Sequence, residues 1–394
     1  MNSANAHWLN ITRLSVYPKI IFALYVIVGV GALCHWWFQA SPHDVIVSDQ
    51  TVFWVAAQMA LSGHSAEAYI PDQLHKAMAL IAPDIKGAYG WFYPPTFYLL
   101  ILPLGLLPYW AAYSSFMIAS VTAYVAVFRK FVNGKTAMWL LAAFPGIWIN
   151  LLTGQNGLLT AALAGAALLS LERKSTLAGI LIGLLVIKPH LALLFPLALI
   201  ARKAWRVLAI SGLTALLYMS LSVLVLGFDS ISAWLHGLDV ARSIMVNGKT
   251  SPMMPTVFSF MRMLRAAPLF SYAAHGLVAL WSARIVWIVW RSDVAYLLKA
   301  ASLMTATLLA SPYLFEYDLA WLGFPIAWIA KIGHESTWKT GEREVLLAAW
   351  FTPLIVVVFA LLTKIQIGPF VSAALLWTIT RRIPEYKFWG RREA

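Results

Sequence analysis

The sequence predicts an all-α polytopic membrane protein, and three observations carry that expectation. Hydrophobic residues make up 61% of the 394 residues. Charged residues make up only 11%, against about a quarter in soluble domains. Apolar stretches near the ~20 residues that cross a bilayer recur from end to end, and helices satisfy every backbone polar group within each such segment.

The elements follow in order. The opening stretch MNSANAHWLNITRLSVYPK is too polar for a cleaved signal, and the apolar run after it is long enough to span, so it reads as an uncleaved first helix. Spans are expected over 18–38, 92–107, 109–128, 136–152, 156–171, 177–201, 205–226, 270–290, 294–311, 315–331, 343–362 and 366–380, about 12 transmembrane helices. The segment 177–201 reads as one span or as two half-helices broken at Pro189. Two connections are long, 39–91 and 227–268, and most others are short. With no low-complexity tract and no soluble domain, residues 1–394 read as a single integral-membrane domain.

Charge sets the expected orientation. A net charge of +13 would suggest nucleic acid in a soluble protein. In a membrane protein Lys and Arg collect in cytoplasmic loops and termini, so no nucleic-acid partner is implied. Arg13 and Lys19 flank the start of the first span, and RRIPEYKFWGRREA closes the chain. Both termini are therefore expected in the cytoplasm, which requires an even number of spans. Both long loops then lie outside; loop 39–91 carries Asp44, Asp49, Glu67, Asp72 and Asp84 against Lys76 and Lys86. The ARKAWR turn at 201–206 falls inside, whereas RKFVNGK at 129–135 and ERK at 172–174 fall outside, against the trend. Cys34 is the single cysteine, which excludes an intrachain disulfide.

Ionisable residues at or within a membrane are costly and mark function by default. They gather at six places: Asp44 with Asp49; Tyr93-Pro94-Pro95; Thr153–Gly157 (TGQNG); Lys188 with His190; the second outer loop with Arg242, Lys249, Arg262 and Arg265; and Ser311–Asp318 (SPYLFEYD). Each also has a structural role open to it. Ser48 and Asp49 are favoured N-caps. Pro94-Pro95 punctuates a helix start. Gln155 and Asn156 suit hydrogen bonds between helices. Lys188 can snorkel or pair with a carboxylate. Arg242 and Lys249 suit lipid headgroups, and Asp318 suits a cap or an ion pair.

The motifs narrow the chemistry. No Gly-rich phosphate loop, H-E-x-x-H, paired Cys or Gly-x-Ser-x-Gly elbow is present, so no cofactor and no protein metal site is indicated. An outer-face carboxylate beside Lys, Arg and His suits removal of a proton from an alcohol while cations stabilise a departing phosphate. A sugar carried on a lipid phosphate already has a good leaving group. It needs a base, a positive phosphate site and an apolar slot for the lipid.

The ordered pieces D-x₃-(F/Y)-x₂-A-A, then YPP opening a segment that ends PLGLLP, then GQNG, AGILIGLLVIKPHLALLFPLALI, MPTVFSFMRML and SPYLFEYDL, resemble glycosyltransferase family 87. The resemblance runs from about residue 45 to 325. It implies a GT-C-type bundle with a long first periplasmic loop carrying interfacial helices, and an activity like that of polyprenyl-phosphate-mannose-dependent α-1,2-mannosyltransferases. In that class the catalytic acid lies in the first outer loop. Asp49 matches it, followed by Phe53, Ala56, Ala57, Gly63 and Tyr69, with Asp44 as the fallback. The GQNG piece maps to Gln155 and Asn156, the Lys-Pro pair to Lys188 and Pro189, and the last piece to Tyr313 and Asp318. The run HSAEAYIPDQLHKAMALIAPDIKGAYG departs from the pattern as an insertion and leaves the acceptor side open.

The resulting expectation is an inverting glycosyltransferase of a bacterial inner membrane with its site on the periplasmic side. It takes a sugar, mannose or another hexose, from polyprenyl phosphate to a lipid or glycan acceptor, among membrane lipids. Asp49 is the base. Lys188, His190, Arg242, Lys249 and Arg262 are candidates for the donor phosphate, the arginines and Lys249 on physical grounds alone. Asp44, Tyr93, Gln155, Asn156, Tyr313 and Asp318 are candidates for substrate binding. Asp49 must be ionised near neutral pH, so a polar partner is expected beside it. The helix TVFWVAAQMALSG should lie at the interface, with Phe53 and Trp54 at headgroup level. A transporter or flippase of a lipid-linked sugar or small solute is the competing reading, disfavoured by the long acidic loop because transporters bind near the midplane. An inactive structural partner in an envelope assembly is the third.

Overall fold

A computed structural model describes residues 7–39, 48–83, 85, 89–247 and 251–383. Every regular element among the described residues is helical. Six helices are long and apolar enough to cross a membrane: Thr12–Ala32, Tyr109–Phe131, Lys135–Thr153, Trp205–Leu226, Pro268–Arg291 and Glu342–Thr363. Their outer faces are apolar and uncovered, as at Ile27, Val28, Leu216 and Leu224, which suits hydrocarbon rather than water. The chain is a multi-pass helical membrane protein.

The other six expected spans are shorter than a bilayer-crossing helix, and two of them are interrupted. The stretch 315–331 opens as a 3₁₀ turn, Glu316–Leu322, and becomes α-helical only from Gly323 to Glu335. The stretch 177–201 breaks into Ser175–Leu184 and Phe195–Ala201, joined by two short 3₁₀ turns. The break is local chemistry. Pro189 disfavours helical geometry at the preceding residue, and Lys188 sits at φ −147°, ψ 71°. The carbonyls freed by the break need donors, and Val186 O accepts from Thr96 Oγ1 at 3.1 Å.

Two apolar clusters organise the packing. The larger joins the middle of the chain to its C-terminal third around Phe144, Phe195, Trp290, Trp321 and Trp328. The smaller pins the first long loop down. Ser48, extended at φ −139°, precedes the helix Asp49–Leu61 as its N-cap, and its N–H donates to Thr51 Oγ1. Val52, Phe53, Ala56 and Ala57 recur at helical spacing and are buried on one face. That face packs on the helix Pro95–Gly105, close enough for Gln58 Nε2 and Trp54 Nε1 to donate to Gly105 O and Leu107 O at 3.2 and 2.9 Å.

Phe53 corrects one expectation. It does not stand at headgroup level but is 1% exposed, with its ring edge-on to Phe97 at 5.0 Å and to Tyr93 at 5.4 Å. The aromatic density of this loop, with Trp91, Phe97 and Tyr98 all buried, makes a core of its own and draws Phe53 inward. Within the second long loop, Asp229–Asn247 forms a helix of 19 residues.

Candidate functional site

Five separated segments meet at one point: Asp49 at the start of the loop helix, Tyr93, the Gly154–Gly157 turn, the break at Lys188, and Glu316–Asp318. Their convergence begins with two glycines. Gly154 ends the helix Pro145–Thr153 in the left-handed region, φ 69°, where a side chain is strained. A Cβ there would also stand 2.5 Å from the Cβ of Gln50. Gly157 starts the helix Gly157–Ser170, and a Cβ there would stand 2.3 Å from the carbonyl oxygen of Tyr317. The turn is therefore pressed between the first loop and the Glu316–Leu322 segment. Gly154→Ala is expected to cost about 1–2 kcal/mol from backbone geometry alone. It should lower the unfolding midpoint in detergent, and an unchanged midpoint would refute the compression.

Between those glycines, Gln155 and Asn156 link the two charged ends of the site. Gln155 Oε1 accepts from the Tyr93 hydroxyl at 2.9 Å and from the Asn156 N–H at 3.2 Å. Two donors on one end fix which way the amide faces. Its Nε2 is then turned to Asp49 and donates to Oδ2 at 3.0 Å. Asn156 Oδ1 accepts from Lys188 Nζ at 3.1 Å, and Lys188 Nζ donates to Asp318 Oδ1 at 2.6 Å. The ammonium also lies 4.6 Å from the centre of the Tyr317 ring. Asp318 Oδ2 accepts the Phe315 N–H, so this residue caps the turn and pairs the lysine at once.

The surroundings hold these groups in place. Asn150 Nδ2 donates to Gly146 O and Tyr317 O, both at 2.8 Å, and its Oδ1 accepts the Leu158 N–H. Tyr69 donates to Tyr93 O at 2.8 Å. Lys188 is 4% exposed and Asp318 fully buried, an ion pair closed off from water. Asp49 is half-buried at the edge of this network. Burial raises its pKa above the ordinary carboxylate value, and the hydrogen bond from Gln155 and the charge of Lys188 partly offset that rise. Since Ser48 is the N-cap residue, the carboxylate of Asp49 is left to Gln155.

Of the residues singled out in the sequence, Asp49, Tyr93, Gln155, Asn156, Lys188 and Asp318 are joined in this one hydrogen-bonded chain. His190 sits on the broken stretch, its Nδ1 2.7 Å from Ser311 Oγ. Tyr313 is half-buried beside Tyr272. Arg242 is exposed on the helix Asp229–Asn247. Arg262 is held by the carbonyls of Ala266 and Val246 at 2.7 and 2.9 Å. Asp44 and Lys249 lie outside the described residues. The site brought together is thus less cationic than expected: its one lysine is already paired. Sequence reasoning passed over Glu316, Tyr317 and Asn150. Glu316 and Tyr317 lay in view in SPYLFEYD beside the residues that were chosen, and Asn150 lies five residues before Gln155.

Two hollows flank the first loop, and neither contains Asp49. One, of about 360 Å³, lies between the turn Glu67–Tyr69 and the helix Asp229–Asn247, with Glu67, Tyr69, Asp229 and His236 on its wall. The other, of about 330 Å³, lies over the outer side of the loop helices. Among the described residues no group of three or more His, Cys, Asp or Glu is placed to share a metal ion.

Fold and site together define a polytopic helical membrane protein with an oriented carboxylate at the edge of a buried amide–lysine network. The family model for glycosyltransferase family 87 matches residues 91–312, and the chain belongs to that family. It is a membrane glycosyltransferase. The matched stretch includes Tyr93, Gln155, Asn156, Lys188 and His190, while Asp49 and Glu316–Asp318 lie outside it. No curated protein and no solved structure matches the chain.

Proposed function

We propose that this glycosyltransferase moves mannose or another hexose from polyprenyl phosphate to a hydroxyl of a lipid or glycan acceptor, on the periplasmic face of a bacterial inner membrane. Asp49 is the general base. The observation that carries the reading is the Gln155–Asp49 hydrogen bond of 3.0 Å, which aims a half-buried carboxylate from a fixed amide. In the reaction the acceptor oxygen attacks the anomeric carbon as Asp49 takes its proton. The bond from that carbon to the phosphate oxygen breaks, and its electron pair leaves with the phosphate. A single displacement inverts the anomeric configuration. Lys188 and His190, at the break between two half-helices, are the groups we read as serving the donor phosphate, with Arg242 and Lys249 as further candidate cations.

The reading is tested by incubating purified protein with a panel of polyprenyl-phosphate hexoses and membrane lipid extract, then identifying products by mass spectrometry. A new, inverted glycosidic product is the expected result. Absence of product from every such donor refutes the choice of carrier. The pH dependence adds a sharper expectation. A base works only when unprotonated, so activity falls as pH falls through the pKa of Asp49. Because burial raises that pKa, the acid limb of kcat/KM should lie above the ordinary value of 3.8. An acid limb at or below 3.8 would show that another group sets it.

A further inference from the structure

We propose that Glu316 is the carboxylate that recognises hydroxyl groups of the donor sugar and so selects the sugar that is transferred. The proposal rests on the reading of the site given above.

Glu316 lies two residues before Asp318, in the turn that supplies the counter-ion of Lys188. It is 7% exposed, and its Oε2 is buried without a hydrogen-bond partner. It lies within electrostatic reach of Lys188, Tyr317 and Asp49. It therefore shares the enclosure with the proposed base. The backbone beneath it is fixed from the second outer loop, because the Glu316 N–H donates to Met253 O at 3.0 Å.

A buried carboxylate with a free oxygen weakens a fold unless something completes it. Lys188 does not do so: its ammonium hydrogen-bonds Asp318 and Asn156 and makes no hydrogen bond to Glu316. Asn156 shows the complementary shortage on the other side of the site. It is fully buried, and its Nδ2 has no acceptor. One idle acceptor and one idle donor in the same enclosure are what a ligand hydroxyl satisfies, because it donates and accepts at once. Two tyrosines adjoin them: Tyr93 donates to Gln155 beside Asn156, and Tyr317, next to Glu316, is covered by Phe315 and by the Lys188 ammonium. A polyhydroxylated ring presented to Asp49 would meet Glu316 and Asn156 with its hydroxyls.

The test uses the purified full chain, polyprenyl-phosphate mannose as the probe, and its 2-, 3-, 4- and 6-deoxy analogues. In the wild type, removing the hydroxyl that Glu316 holds should lower kcat/KM by about 10- to 100-fold, the loss expected for one hydrogen bond to a charged group. Glu316→Gln keeps the size of the side chain and removes the charge. It should raise KM for the parent donor about tenfold or more and shrink the penalty for that one analogue while leaving the other penalties as they were. A merely structural glutamate would lower the rate with every donor alike. If Glu316→Gln discriminates among the five donors as the wild type does, or matches it in KM, the proposal is overturned. If the wild type transfers no sugar from the mannose donor but does so from another polyprenyl-phosphate hexose, that donor and its deoxy analogues take its place in the test; if it transfers sugar from none of them, the carrier reading falls and this assignment falls with it. If transfer is normal and only the discrimination is unmoved, the assignment of Glu316 alone is lost. Glu316→Asp, which keeps the charge and shortens the reach, gives a second check: partial recovery of discrimination over the glutamine variant is expected, and none would count against a charge-based contact.

Discussion

Asp49→Asn is expected to lower sugar transfer by about 10²–10⁴-fold, the usual share of a positioned base. The substitution is nearly isosteric, and an asparagine oxygen still accepts from Gln155 Nε2, so the loop helix and its aromatic core should stand unchanged. Stability points the other way from activity. Burial places the folded-state pKa of Asp49 above its unfolded value. The stabilising form is then the protonated one, present below 3.8 and lost as pH rises through the raised value. At neutral pH the charged carboxylate weakens the fold, so removing its charge should leave the unfolding midpoint unchanged or raise it. Full transferase activity in Asp49→Asn would remove the base from the mechanism. A lowered midpoint alongside lost activity would mean that the carboxylate holds the fold instead.

Breaking the Lys188–Asp318 pair should produce a large loss of stability. Each partner is buried, the contact is 2.6 Å, and removal of one leaves the other as an uncompensated charge, which costs about 3–5 kcal/mol. Asp318→Asn and Lys188→Met should each lower the unfolding midpoint sharply. Combining them removes both charges and should restore much of the stability, because a buried pair is worth little against neutral groups that fill the same space. Activity should not return with it, since the double variant lacks the ammonium proposed for the donor phosphate. A double variant as active as the wild type would reduce the pair to a structural brace, and single variants that unfold normally would show that the pair is open to water.

The membrane class was legible because composition and segment length act on the whole chain and need no tertiary detail. Half of the expected spans reached full length; of the shorter ones, 177–201 and 315–331 are interrupted at segments of the site. The break at Lys188 was readable from Pro189, whose ring acts on its neighbour without help from the fold. Gln155, Asn156 and Asp318 were readable as polar groups in apolar surroundings, which are rare enough to stand out. What the pattern could not convey was who pairs with whom. Lys188 is 130 residues from Asp318 in the chain, and nothing local to either names the other. The same blindness moved Phe53: alone it suits a headgroup region, yet with Trp91, Phe97 and Tyr98 folded over it, it becomes core. Arg262 looked free because its partners are backbone carbonyls, which have no sequence signature.

The close approach at Gly157 reaches beyond this molecule. The peptide oxygen of Tyr317 occupies the place where residue 157 would carry its first side-chain carbon, so that the two strands of the contact fit only when one of them has no side chain. A homologue with alanine or a bulkier residue at the matching position would have to move the segment matching Glu316–Asp318 away from the Gln155–Asn156 turn. That single position therefore separates relatives able to inherit this chemistry from those that kept only the outline of the fold.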